Sequence, residues 1–180
     1  MKSVCVFCAS SDNIDDAYLK IADELADEML RRNLCLVYGG GNNGLMGRIS
    51  RIMHERGGGR IVGVIPRRLM ELGYGYDNVD EMIVTDGMRE RKAIMEERAD
   101  AFIGMPGGVG TLEELLEIVT LRQLEMLDKP IVFLNIRGYF DGILAQFERA
   151  YEEHFMDESC RELYFVTDSV SDALDHIAEH

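Results

Sequence analysis

The apolar positions of this chain switch repeatedly between the two-residue period of a strand and the 3.6-residue period of a helix. Val4-Cys5-Val6-Phe7-Cys8-Ala9 is a β-rich run that ends in the polar turn Ser10-Ser11-Asp12-Asn13, so it predicts a strand feeding a helix. That helix, from about Asp15 to Arg32, places Leu19, Ala22, Leu25, Ala26 and Met29 on one side and Asp16, Asp23, Asp27 and Glu28 on a solvated face. Leu34 to Tyr38 predicts the next strand, a helix runs on to about Arg56, and Ile61 to Ile65 is a further strand leading to Pro66-Arg67-Arg68. Glu71 to Asn78 reads as a loop, Met82 to Thr85 as a short strand, and Asp86 to Lys92 as the opening of a helix that reaches Arg98. Ala101 to Gly104 follows as a central strand. Leu112, Leu115, Leu116, Ile118, Val119, Leu121, Leu124, Met126 and Leu127 then cover more than one face of a long helix, which predicts packing on the sheet and on a partner subunit. A strand at Pro130 to Asn135, a helix from Phe140 to His154, and a last strand at Leu163 to Val166 before a terminal helix complete the pattern.

Alternation of this kind with short loops predicts a single α/β domain over residues 1–180, a mostly parallel sheet covered by helices on both faces. A chain of 180 residues buries enough surface to fold without disulfides or metals. The formal net charge of −14 argues against a nucleic-acid polymer or an anionic membrane as partner, both of which need a basic face. A single nucleotide remains compatible, since backbone N–H groups and one or two arginines suffice to hold its phosphate. No segment has the apolar length to cross a bilayer, and Met1 runs straight into the first strand without a cleavable leader, which points to the cytoplasm. Cys5, Cys8 and Cys35 lie in apolar runs, and the pair Cys5-x-x-Cys8 sits on opposite parities of a strand with no second pair, so the cysteines read as structural. His176 and His180, near the C-terminus, are assigned no function, and no metal site is expected.

The chemistry concentrates in Met105-Pro106-Gly107-Gly108-Val109-Gly110-Thr111-Leu112-Glu113-Glu114, between the central strand and the long helix. Its glycines permit close backbone approaches, and the N–H groups opening the helix form a cradle for an anion. Thr111 could cap that helix, and Thr111-x-x-Glu114 has the spacing of a capping box, in which the carboxylate only turns back to a free N–H. A second strand–glycine–helix passage, Gly39-Gly40-Gly41-Asn42-Asn43-Gly44-Leu45-Met46-Gly47, approaches the dinucleotide fingerprint. The acid that should end the following strand is missing, however, so a mononucleotide is expected instead. Arg89, Arg91, Lys92 and Arg98 form a basic cluster just upstream of the central turn and are candidates for an anion clamp. Both glycine turns and the Ser10-Ser11 turn follow strand carboxyl ends and so fall on one edge of the sheet, where ligands of such sheets bind.

These residues resemble a known family. Met105 to Glu114 matches the PGGxGTxxE motif of the LONELY GUY family of cytokinin-activating phosphoribohydrolases, and Gly39 to Gly47 and Met88-Arg89-Glu90-Arg91-Lys92 are similar to its two companion motifs. The similarity spans Val4 to about Tyr151. The resemblance implies a Rossmann-like fold and a homodimer with its site at the subunit boundary. It also implies hydrolysis of the N-glycosidic bond of adenosine 5′-monophosphate, plain or N6-prenylated, to free base and ribose 5-phosphate, without a cofactor. Residue by residue it implies Glu114 and Arg91 as catalytic. It implies Gly107, Gly108, Gly110 and Thr111 around the 5′-phosphate, Gly40, Gly41 and Gly44 on the same edge, and Met88, Lys92 and Thr120 as further substrate contacts. In the loop after Pro66, where many members carry an acidic residue near the base, this chain has Gly73, with Glu71 two residues earlier. That departure bears on base preference.

A carboxylate beside an anomeric carbon suits this reaction, because it stabilises the positive charge of an oxocarbenium-like transition state and can orient or deprotonate water. A module that binds a purine nucleotide without cutting it is the alternative, though it would need no Glu–Arg pair. The family is also widely labelled lysine decarboxylase. Such an enzyme needs a lysine Schiff base to pyridoxal phosphate, and none of Lys2, Lys20, Lys92 and Lys129 has a recognisable setting for one.

Overall fold

The computed structural model describes residues 1–180 and holds seven strands and seven α-helices. In chain order they are β1 (Ser3–Phe7), α1 (Asp16–Arg31), β2 (Cys35–Tyr38), α2 (Gly44–Arg56), β3 (Ile61–Pro66), α3 (Arg67–Glu71) and β4 (Glu81–Thr85). There follow α4 (Met88–Arg98), β5 (Ala101–Gly104), α5 (Val109–Gln123), β6 (Ile131–Leu134), α6 (Asp141–Glu152), β7 (Phe165–Thr167) and α7 (Val170–Glu179). The strands form one sheet in the order β4-β3-β2-β1-β5-β6-β7, every pair parallel. Because side chains alternate across a strand, each buried strand feeds two cores. Val4, Val6, Leu36, Tyr38 and Ile103 pack with α1, α2 and α7, while Cys5, Phe7, Val37, Val64 and Phe102 pack with α4, α5 and α6. Cys5 and Cys8 therefore belong to opposite faces, and all four cysteines are free and buried.

The strand order reverses at β1: α1 carries the chain towards β2, and after β4 helix α4 returns it to β5 on the other flank of β1. A crevice outside the carboxyl ends of the strands is expected at such a reversal. Several local expectations need correction. Arg67 to Glu71, assigned to no element in the sequence, forms the short helix α3 after Pro66, so the loop begins only after Glu71. α5 stops at Gln123, with Glu125 at a positive φ of 56°, so Leu124, Met126 and Leu127 lie beyond it and Leu124 and Met126 are exposed. β7 starts at Phe165, because Glu158–Leu163 forms a 3-10 turn.

Candidate active site

The passage from β5 to α5 is built by two missing side chains. At Gly104 the space of a Cβ belongs to Leu115, whose Cδ1 would stand 2.2 Å away, so α5 sits directly on the strand end. At Gly107 the Thr111 hydroxyl occupies that space, 2.1 Å from the would-be Cβ. Neighbouring loops then tie the turn down: Ala9 donates its N–H to the Pro106 carbonyl at 3.1 Å, and the Tyr139 hydroxyl donates to the Gly107 carbonyl at 2.6 Å. The helix starts after Gly108, which gives no side-chain cap, and the Leu112 N–H is the first to find a carbonyl, that of Gly108 at 3.2 Å. The amides of Val109, Gly110 and Thr111 are left with no acceptor in the chain, as free helix-opening donors are. Thr111 is thus the third residue of the helix rather than its cap, and no capping box forms, because Glu114 faces elsewhere.

The second glycine turn looks alike in sequence but differs in this respect. The amide of Gly44 donates to Asp12 Oδ1 at 2.7 Å, and those of Leu45 and Met46 both reach the Ala9 carbonyl, at 3.0 and 3.4 Å. Gly44 holds a φ of +62°, and a Cβ there would stand 2.5 Å from the Ala9 oxygen, so the glycine is needed for this contact. The opening of α2 is therefore satisfied internally. Of the two helices that open after a glycine turn, α5 alone offers unused donors to an anion.

Between the two turns lies a buried ion pair. Arg91 of α4, 6% exposed, donates through Nε to the Val64 carbonyl at 3.0 Å and through Nη1 to Glu114 Oε1 at 2.5 Å; Glu114 is 8% exposed. Burial raises the proton affinity of the Glu114 carboxyl, Arg91 opposes it, and the net direction is upward from the ordinary carboxylate range. Burial and the Glu114 charge also push the Cys8 thiol well up, so Cys8 is a neutral neighbour. A carboxyl that binds its proton more tightly than usual, yet is steadied by a fixed cation, suits acid–base work near neutrality.

Both groups border a cavity of about 530 Å³. Its lining combines polar groups, Ser10, Asn42, Asn43 and Thr111 among them, with an apolar set of Met46, Ile65, Leu69, Tyr74 and Met88. The apolar wall is stitched to the β2 turn by Asn42 N–H to Tyr74 O at 2.8 Å, Tyr76 N–H to Gly40 O at 3.0 Å, and a bridge between Gly41 and Gly75. Of the residues singled out in the sequence, Gly41, Met88, Arg91, Gly108, Gly110, Thr111 and Glu114 line the cavity. Gly40, Gly44 and Gly107 do not line it, though they shape the turns that do. Lys92 is turned away, paired with Glu113 and with Glu117 at 2.8 Å. Thr120 is exposed far along α5, its hydroxyl donating to the Leu116 carbonyl at 2.7 Å. Gly73 has φ +79° with nothing packed on it and lies outside the cavity. Asn42, Asn43, Ile65, Leu69 and Tyr74 were missed as lining residues. The polar pair in the middle of the glycine turn could have been flagged, but nothing in the local pattern reveals that α3 brings the exposed Leu69 to the cavity.

A family model described as possible lysine decarboxylase matches residues 46–177. Among curated proteins, the cytokinin riboside 5′-monophosphate phosphoribohydrolase LOG3 of Arabidopsis thaliana is 40% identical over 179 residues, covering 99% of this chain and 83% of that protein. A probable enzyme of the same name in Oryza sativa subsp. japonica, LOGL2, is 41% identical over 179 residues, covering 99% of this chain and 73% of its own length. Among solved structures, a molybdenum cofactor binding protein from Rippkaea orientalis superposes with a TM-score of 0.74 at 21% identity over 99% of this chain and 97% of that one. The Moco carrier protein of Chlamydomonas reinhardtii gives 0.73 at 20% identity over 99% and 96%. At such identities the structures speak for the fold.

Proposed function

The chain belongs to the family of cytokinin riboside 5′-monophosphate phosphoribohydrolases, and on that premise we propose that it hydrolyses the N-glycosidic bond of adenosine 5′-monophosphate or its N6-modified forms to the free base and ribose 5-phosphate. The observation that carries the reading is the buried Arg91–Glu114 pair beside the unsatisfied N-terminus of α5. The 5′-phosphate takes the amides of Val109, Gly110 and Thr111, with the Thr111 hydroxyl beside them. The base lies toward Ile65, Leu69, Tyr74, Met46 and Met88, which leaves the anomeric carbon over Glu114. The carboxylate stabilises the developing oxocarbenium charge and takes a proton from the attacking water. The departing base leaves with the bond's electron pair and takes up a proton from solvent, to which Glu114 releases its own, so the carboxylate is regenerated. Arg91 favours the ionised form of that carboxyl and so opposes burial, which favours the neutral one. No lysine lines the cavity, so the decarboxylase description finds no group for a Schiff base there.

Three companion proposals complete the reading. The chain works as a homodimer: Leu112, Leu116 and Leu121 of α5 remain half-buried in one copy, and Thr120 and Lys92 lie on the side a second copy would cover. No helix is long and apolar enough to cross a membrane, and four unpaired cysteines suit a reducing compartment, so the cytoplasm is the proposed location. The glycine at position 73 leaves the base end without a carboxylate from that loop, and the apolar wall accommodates an alkyl group on N6.

The test is chromatography of the products after incubation with AMP and with N6-isopentenyl AMP, adenosine and ATP serving as controls. Free base from the monophosphates alone is the expected result. Binding without release by the wild-type protein would establish the non-catalytic module instead. Glu114→Gln should bind AMP and release no base; turnover in that variant would remove Glu114 from the chemistry.

A further inference from the structure

Gly39, the residue directly after β2, is the one glycine of its turn whose missing side chain leaves room for Arg91. A Cβ built on it would stand 2.0 Å from Nη2 of Arg91 and 3.2 Å from its Cζ, and 3.0 Å from the Met46 sulfur. Its backbone is not in the left-handed region that Gly40 and Gly44 occupy, so alanine is compatible with the local torsions. What alanine contradicts is the place of the guanidinium. That place is otherwise fixed from two sides, by the Val64 carbonyl on Nε and by Glu114 on Nη1. We propose that Gly39 is a positioning residue of the hydrolase: its bare Cα is the floor on which the Arg91 guanidinium rests, and this floor holds the cation against Glu114.

The proposal rests on the hydrolytic reading of the site, and it reaches the chemistry through Arg91. The charged and titratable groups around the Glu114 carboxyl are Arg91 and Lys92 from α4, Glu113 on its own helix, and the Cys5 and Cys8 thiols of the β1 end. Among them Arg91 is the one that most opposes the effect of burial. Pushing its guanidinium aside should therefore let the carboxyl bind its proton still more tightly, while the free amides of α5 that hold the phosphate stay in place.

The experiment compares Gly39→Ala with wild type, each with arginine and with Arg91→Lys, since a lysine ends short of the atom that meets the new Cβ. Expected for Gly39→Ala alone is a kcat lower by on the order of 10²-fold, as for a reacting group misplaced by an ångström, with KM for AMP little changed and the acidic limb of the pH–rate profile moved upward. In the Arg91→Lys background the same substitution should cost nothing further. An unchanged kcat, or an equal loss in both backgrounds, overturns the proposal. If wild type releases no base, the hydrolytic reading fails, and thermal melting decides about Gly39 without turnover. The deficit of Gly39→Ala should then grow from acid to neutral pH and lose that dependence when Glu114→Gln is added; a deficit flat with pH overturns the proposal. Should Gly39→Ala not fold, recovery by Arg91→Lys supports the seat and continued failure refutes it.

Discussion

Tyr139→Phe removes one oxygen atom from the support of the proposed phosphate site. The ring stays packed edge-on against Tyr18 and Phe140, with centroids 6.0 and 5.4 Å away, so the substitution leaves the loop between β6 and α6 its apolar contacts. What disappears is the 2.6 Å hydrogen bond to the Gly107 carbonyl, a buried residue one step before the turn that presents the free amides. A neutral hydrogen bond of this kind is worth about 0.5–1.5 kcal/mol net. If that energy is spent in holding the amides at their anion, it converts to a rise of about 2- to 12-fold in KM for AMP, at roughly 1.4 kcal/mol per tenfold. The turnover number should be conserved, because Glu114 and Arg91 are held by other elements. Initial-rate kinetics with AMP, together with competition by inorganic phosphate, provide the assay; the inhibition constant of phosphate should rise in parallel with KM. An unchanged KM and phosphate affinity, with only a lower melting temperature, would show that Tyr139 braces the fold and has no influence on the anion site.

Other consequences can be checked on the same preparation. Because the folded Glu114 carboxyl binds its proton more tightly than the unfolded one, its ionisation costs native stability once pH exceeds the ordinary carboxylate range. The melting temperature of Glu114→Gln relative to wild type should therefore rise from acid to neutral pH, and a constant difference would contradict the raised affinity. Gly44→Ala combines a left-handed φ with a Cβ 2.5 Å from a backbone oxygen, so a loss of about 1–3 kcal/mol is expected in urea unfolding; a loss under about 0.5 kcal/mol would mean that the turn relaxes freely. Asp12→Ala deprives the Gly44 amide of its acceptor and should cost about 0.5–2 kcal/mol of stability without weakening inorganic phosphate, whereas weaker phosphate binding would show that α2 shares the anion.

The alternation of apolar periods made the sheet and its helices readable, because a parallel sheet buried on both faces demands nearly continuous apolar strands such as Val4 to Phe7 and Ile61 to Ile65. The edge carrying the site was readable for the same reason: parallel strands send every carboxyl end to one side. Sequence spacing could not decide between the two fates of Glu114, since a capping box and an ion pair with a helix 23 residues earlier share one local pattern. Nor could it separate the two glycine turns, as the difference lies in long-range acceptors, Asp12 and Ala9, that only the fold brings to α2. Leu124 and Met126 were placed on α5 because the apolar period continues past Gln123, while the break at Glu125 is a backbone event with no apolar signature.

The occupied opening of α2 also sets the valency of the crevice. A ligand with two phosphoryl groups spaced for two helix N-termini would find one socket open and the other already plugged by the chain's own Asp12 and Ala9. A protein engineer wishing to turn this scaffold toward dinucleotides would gain little from adding glycines. The first change would have to unplug α2 by removing the Asp12 carboxylate and withdrawing the Ala9 carbonyl, and the second helix would only then carry an electrostatic vacancy to fill.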